Sequence, residues 1–382
     1  MKKLFKILTV LILGMAWVFV TTPGMTGEPI RVGGLFALSG PAAHIGIAQR
    51  DSCKFVFDEV NKDGGINGRM IKFIEADTEG DPTKTLMKTK WLVEEQKVSV
   101  IVGPVRTGNG MAIKPYIDKA KVPTFMHCGS DVIIMKPPVH WVFKSPYKTT
   151  AALGKVFEYC KKKGLKKVAF MYASDGFGKD GVKHAGKLAP EFGLEMVAKE
   201  AFAPKDVDMT EQLTRVKATD AEAIVCWTIG PAGGIVAKNR RQLGMEQPLF
   251  QCHGQADPIF IKVAGDAAEG VMMPSTKIYV GKELKRSDPQ KKMILQFVKA
   301  YTPAYGAPGV MVSYGADAAY IVVEALKKAG DDRAKIRDVI ENTRGYVGLS
   351  GIYNMSPQDH NGLTIKDVVL VKVKKGKFRL VK

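Results

Sequence analysis

From residue 30 onward the sequence alternates short apolar runs with amphipathic stretches of helical period, and it does so in two successive arrays. A strand over 30–38 ends at Ser39-Gly40-Pro41. The helix after it puts Ile45, Ala48, Cys53, Val56 and Val60 on one face and stops at Asp63-Gly64-Gly65. Strands over 70–76, 98–102 and 122–126 then alternate with helices over 82–96 and 109–119. The pattern restarts near Lys148 with a helix to Lys163. Strands over 167–172, 195–201, 223–227 and 249–251 follow, separated by helices over 177–191, 210–217 and 232–243. Alternation of this kind predicts βαβ units and parallel-rich sheets covered by helices, here in two α/β lobes. Three further helices, over 290–301, 313–328 and 333–342, have little strand between them. They read as cover for a sheet already formed, so the chain is expected to cross back to the first lobe. The last residues alternate Val368, Leu370, Val371 and Val373 with lysines around Gly376, which predicts a hairpin with a solvated basic face.

At 382 residues the chain is longer than one core usually holds, which suits two lobes. Hydrophobic residues at 46% and charged residues at 25% exclude a disordered or collagen-like chain. The one long apolar run, Ile7 to Val20, follows Lys2, Lys3 and Lys6 and precedes a small, turn-prone stretch. It is short for a bilayer span and reads as a signal peptide over 1–27, giving an exported, periplasmic protein. No cysteine lies near the expected cut, so a lipid anchor is not expected. The formal charge is +19, and the three leader lysines account for three of it, leaving +16. Those basic residues are scattered through helical patterns, so nucleic acid is not an expected partner. Five cysteines with no CxxC describe neither a disulfide framework nor a zinc site, and Cys53, Cys160 and Cys226 sit in apolar, core-like contexts.

Gly176-Phe177-Gly178-Lys179-Asp180-Gly181 matches the GxGxxG pattern of dinucleotide-binding turns. It lies mid-chain, after a complete α/β array, and Tyr172-Ala173-Ser174-Asp175 intervenes before its first glycine. The simpler reading is a βα corner. GxSxG, HExxH and Walker A sequences are all missing, and the pairs His127-Cys128 and Cys252-His253 read as ordinary loop residues. The loops at strand C-terminal ends carry more information, because open α/β sheets bind ligands there. Gly103 to Asn109 leads into a helix, where backbone N–H groups and the Thr107 hydroxyl would converge on an anion. Cys128-Gly129-Ser130-Asp131 repeats the arrangement one strand over, and helix capping by Thr107 and Ser130 is compatible with that role.

Several segments together resemble the periplasmic ligand-binding proteins of branched-chain amino acid ABC importers, relatives of the leucine/isoleucine/valine-binding protein. They are Leu38-Ser39-Gly40-Pro41 with Gly46, Asn61 to Gly68, Asp81-Pro82, Val102-Gly103-Pro104, Asp175 to Gly178, and Ala264 to Gly270. The resemblance spans essentially the whole chain after the leader. It implies two Rossmann-like lobes with parallel-rich central sheets, joined by three hinge crossovers, with a ligand cleft between them. The lobes would comprise 28–144 with 276–350, and 145–275 with 351–382. It implies a monomeric receptor without enzymatic activity or cofactor, whose partners are a small carboxylate-bearing ligand and ABC permease subunits of the inner membrane.

Site roles also follow from the resemblance. Thr107 and the loop Cys128-Gly129-Ser130 match the first-lobe carboxylate site, with Arg106 adding charge. Ile45, beside His44, takes the place of a cleft-lining aromatic. Phe177 and the loop Trp227-Thr228-Ile229 would cover the ligand from the second lobe. The family's acid for a ligand α-amino group falls on His253, a departure that favours an aromatic or other organic acid over leucine, isoleucine or valine. For an amino acid, Asp131 or Asp257 would have to receive the ammonium. The rival readings are a nucleotide-cofactor enzyme built on the GFGKDG turn and a ligand-binding sensor for a membrane partner.

Overall fold

The computed structural model describes residues 27–381, so the expected leader up to residue 26 lies outside the described residues. The first array forms a wholly parallel sheet of β1 (Ile30–Phe36), β2 (Ile71–Asp77), β3 (Val100–Val102), β4 (Thr124–Met126) and β5 (Val142–Lys144). Their spatial order is β2-β1-β3-β4-β5. Helices α1 (Ala43–Lys62), α2 (Pro82–Lys90), α3 (Thr107–Ala120) and α4 (Val132–Met135) make the connections. After α5 (Thr149–Lys162) the second array begins. It contributes β6 (Lys167–Ala173), α6 (Gly176–Leu188), β7 (Glu195–Phe202), α7 (Thr210–Lys217), β8 (Ala223–Trp227), α8 (Ala232–Gln242), β9 (Leu249–Gln251), α9 (Pro258–Ala264) and β10 (Met272–Ser275).

The chain then returns to the first lobe through α10 (Lys291–Tyr305), α11 (Val310–Ala329) and α12 (Arg333–Glu341). Helix α11 packs along α1, where Gly315 gives way to the Ser52 hydroxyl and the Gln49 backbone. A small hairpin, β11 (Tyr346–Val347) with β12 (Ile352–Tyr353), precedes β13 (Val369–Lys374) and β14 (Lys377–Leu380). The last two strands add to the second sheet as the expected antiparallel hairpin, giving the order β14-β13-β10-β9-β8-β6-β7. Its turn residues, Lys375 and Gly376, both have positive φ. Strands β5 and β10, of three and four residues, are additions to what the sequence pattern predicts; runs that short carry almost no periodic signal.

In both sheets the order of strand addition reverses at one point, between β1 and β3 in the first and between β6 and β8 in the second. The crevices open there, at the strand C-terminal ends. The two lobes solve the strand-to-helix corner alike. A Cβ on Gly46 would lie 2.0 Å from the Ala37 carbonyl oxygen, and one on Gly178 would lie 1.9 Å from that of Ala173. Only glycine lets each helix start so close to its strand.

Buried polar contacts knit the crossovers. The Asp317 carboxylate on α11 accepts from the backbone N–H groups of Leu349 at 2.6 Å and Ser350 at 2.8 Å, with the Tyr353 hydroxyl at 3.2 Å. Gln290 donates to the carbonyls of Gly348 and Leu349, and Tyr147 to those of Ser350 and Asp367. Residues after the small hairpin still touch the first lobe. Lys144 N–H donates to the His360 carbonyl, and Asn361 donates to the carbonyls of Lys144 and Pro146. Burial pushes the Asp317 carboxyl up to about 6, yet its removal would orphan the buried donors it serves. Asp317→Ala is therefore expected to destabilise the protein by about 3 kcal/mol or more, read from urea unfolding at pH 7. A loss below about 1 kcal/mol would show that the crossover does not depend on this carboxylate.

Candidate functional site

Between the two crevices lies a cavity of about 230 Å³, walled by both lobes. Ile45, Arg106, Thr107 and Gly129 reach it from the first lobe, and Phe177, Ile229 and His253 from the second. These expected site residues are brought together in one place. The others are not on its wall. His44 faces two adjoining chambers instead, one of them shared with Asp257. Cys128 is buried, and its thiol donates to the carbonyls of Pro104 and Arg106, tying the β4 loop to the β3 loop. Ser130 is buried too, its hydroxyl accepting from the Val132 N–H. Trp227 packs behind Phe177 and His253, with ring centroids 5.8 and 5.7 Å away. Thr228 turns its hydroxyl to the Ile229 carbonyl. Thus the carboxylate-site loop 128–130 presents Gly129, and the covering loop 227–229 presents Ile229, while their neighbours hold the wall from behind.

Helix α3 starts at the cavity. Arg106 stands at its N-cap position without a side-chain cap bond, so Thr107 is the first helical residue rather than the capping one. The N–H groups of Thr107, Gly108 and Asn109 precede the first backbone bond of the helix, which Gly110 N–H makes to Arg106. The Thr107 hydroxyl is buried and unpartnered. Asn109, by contrast, is pinned to the Thr85 hydroxyl.

Sequence reasoning missed three contributors from the helices, Gln49 on α1 and Met311 and Tyr314 on α11. Their apolar neighbours share the same helical face, so nothing local separates them from core. It also set aside His127, which lines the cavity with both ring nitrogens unpartnered. Gln49 Oε1, His253 Nδ1 and the Tyr314 hydroxyl are likewise buried without partners. Buried polar atoms are rarely left so. Their convergence on one cavity, together with the Thr107 hydroxyl, makes it the candidate site for a polar ligand.

The charges on the described wall are those of Arg106 and Asp175. One Asp175 oxygen caps α6 by accepting from Phe177 and Gly178 N–H at 3.0 and 2.9 Å. The other lies 3.7 Å from Arg106, an ion pair longer than a hydrogen bond. Asp131, one of the two acids considered for a ligand ammonium, instead takes the N–H groups of Thr149 and Thr150 at the start of α5. Asp257, the other, caps α9 and does not reach the cavity. Burial lowers both His127 and His253 to about 3, with Lys144 adding to the effect on His253. Both imidazoles are therefore neutral at pH 7, each offering one donor and one acceptor.

The GFGKDG turn has a structural use. Gly178 is needed against Ala173, and a Cβ on Gly181 would fall 2.2 Å from the Trp227 ring. The Asp175 carboxylate occupies the helix end where a dinucleotide phosphate would bind, which disfavours the cofactor-enzyme reading.

A family model described as periplasmic binding protein matches residues 29–377. The chain is similar to the Leu/Ile/Val-binding protein homolog 3 of Brucella melitensis, 23% identical over 332 residues that cover 82% of this chain and 83% of that one. The crystal structure of an extracellular ligand-binding receptor from Rhodopseudomonas palustris HaA2 is 29% identical, with TM-score 0.86, over 93% of this chain and 100% of that one. A solute binding protein of an ABC transporter from Rhodopseudomonas palustris BisB5, solved in complex with 3,4-dihydroxybenzoic acid, shares the fold. It is 22% identical with TM-score 0.76, over 93% of this chain and 96% of that one.

The neutral histidines set a pH dependence. As pH falls below about 6.5 the unfolded chain protonates each imidazole while the folded chain does not, so stability present above 6.5 is lost on acidification. From pH 7 to pH 5 each histidine should account for about 2 kcal/mol of lost unfolding free energy. In urea titrations at the two pH values, His253→Gln should lose about that much less than the unsubstituted protein. Equal losses would place a protonatable imidazole at position 253 in the native state.

Proposed function

Because the chain belongs to the periplasmic binding protein family, of the branched-chain amino acid transporter type, we propose that it captures a small organic acid without an α-amino group and delivers it to an ABC permease. The carrying observation is the cavity wall itself: unpartnered neutral donors and acceptors, an open helix N-terminus, and a single carboxylate with one oxygen in a helix cap and the other 3.7 Å from an arginine. The ligand carboxylate sits at the start of α3, taking the Thr107 hydroxyl and the first N–H groups of the helix. Phe177 lies against its apolar body, with Ile45 and Met311 on the opposite lobe. The histidines, Gln49 and Tyr314 are left for a second polar group. A cavity of about 150 Å³ is enough for benzene, so 230 Å³ suits a substituted aromatic ring.

An ammonium fits less well. Losing its hydration without an anionic partner costs several kcal/mol, and His253 stands where the resemblance expects an acid. The names of the relatives favour leucine, isoleucine or valine instead, and the apolar contacts of Ile45, Ile229 and Met311 would accept an aliphatic chain. As a receptor rather than an enzyme, the protein would work as an exported monomer in the periplasm. Its two lobes would close on the ligand by bending at the crossovers.

Calorimetric titration with benzoate, hydroxylated benzoates and leucine side by side decides the ligand class. Tight binding of a benzoate is expected, weakened about ten-fold or more by Thr107→Ala because a charge-assisted bond contributes about 1.5–3 kcal/mol. Tight leucine binding that is insensitive to His253→Ala would overturn the organic-acid reading.

A further inference from the structure

A second chamber adjoins the ligand cavity, and Arg106, Asp175, Ile45 and Ile229 line both. Arg106 stands at the N-cap position of α3 in the first lobe, and Asp175 at that of α6 in the second. Their side chains, 3.7 Å apart and 32% and 24% exposed, bridge the lobes at the boundary between the two spaces. Around them the lobes touch closely. A Cβ on Gly176 would lie 3.5 Å from the Thr107 methyl, and one on Gly129 would strike the Phe177 ring at 2.6 Å. The second chamber has an exposed cation, Lys205, on its wall, so an anion in it meets positive charge beside the pair; His44, held below the usual imidazole range by burial, adds none at pH 7.

We infer that the Arg106–Asp175 pair is a door between a basic antechamber and the ligand cavity, and that these two residues set how fast a small anion is admitted and released. The inference rests on the cleft being the ligand site but not on the ligand's identity. Asp175 has an oxygen for each task. Its Oδ1 holds the α6 cap while Oδ2 faces Arg106, so the door can open without unwinding the helix. With the door shut, the guanidinium is drawn toward the second lobe. With it open, the same group is free to escort a carboxylate inward to Thr107.

The test is stopped-flow release of benzoate and of leucine from the mature protein and from Asp175→Asn, Arg106→Gln and the double variant. Asparagine keeps an oxygen for the α6 cap, so folding is preserved while the charge is lost. A latch predicts that both single variants release the bound probe about two- to five-fold faster, the range of a partly exposed ion pair, and that the double variant is no faster than either. Simple charge attraction predicts opposite signs for benzoate, with slower release from Asp175→Asn and faster release from Arg106→Gln. Opposite signs, or no change in either, would overturn the door. If neither probe binds, the ligand class proposed above fails. The door is then decided by small-angle scattering of the ligand-free proteins: expansion in both single variants supports it, and unchanged profiles reject it.

Discussion

Two helix N-termini, one from each lobe, meet across the cleft, and two partial positive charges cannot be brought together in a dry space without negative charge between them. Helix α6 carries its own answer in the Asp175 carboxylate. Helix α3 does not, since Arg106 and Thr107 add a cation and an unpartnered hydroxyl rather than a carboxylate. On the proposed function, the deficit would be met by a ligand that brings an anion. Closure and anion binding would then be one event, with the negative charge confined to one end of the ligand by the neutral remainder of the wall.

The hinge serves the same end. Asp131, two residues after the Gly129 that faces the cavity, accepts from Thr149 and Thr150 at the start of α5 in the other lobe. The Asp131 N–H in turn donates to Asp180 on α6, which also takes the Thr149 hydroxyl. The loop that presents Gly129 to the cavity is therefore anchored to the second lobe. The five thiols are all buried, with burial pushing those of Cys128, Cys160 and Cys252 up to about 12, so they stay unreactive.

The periodicity of the sequence made the two α/β arrays legible, because long amphipathic helices and buried parallel strands leave unmistakable patterns. The return of α10 to α12 to the first lobe was legible for the same reason. The site was legible at its loops, through Thr107, Phe177 and His253, and blurred by one residue on either side. Neighbouring residues near strand ends point to opposite faces, so a run such as Trp227-Thr228-Ile229 cannot all line one cavity. Gln49 and Tyr314 were hidden, since only the packing of α1 against α11 turns them toward the cleft. His127 looked like an ordinary loop residue because an unpartnered imidazole is a three-dimensional fact.

The chemical character of the ligand is the central claim of the proposed function, so it is where a single observation weighs most. Native mass spectrometry of the protein purified from its own cells, followed by identification of the released ligand, reads that character without choosing a candidate beforehand. A bound carboxylic acid that carries no amino group is the expected result. Leucine, isoleucine or valine released in stoichiometric amount would contradict it.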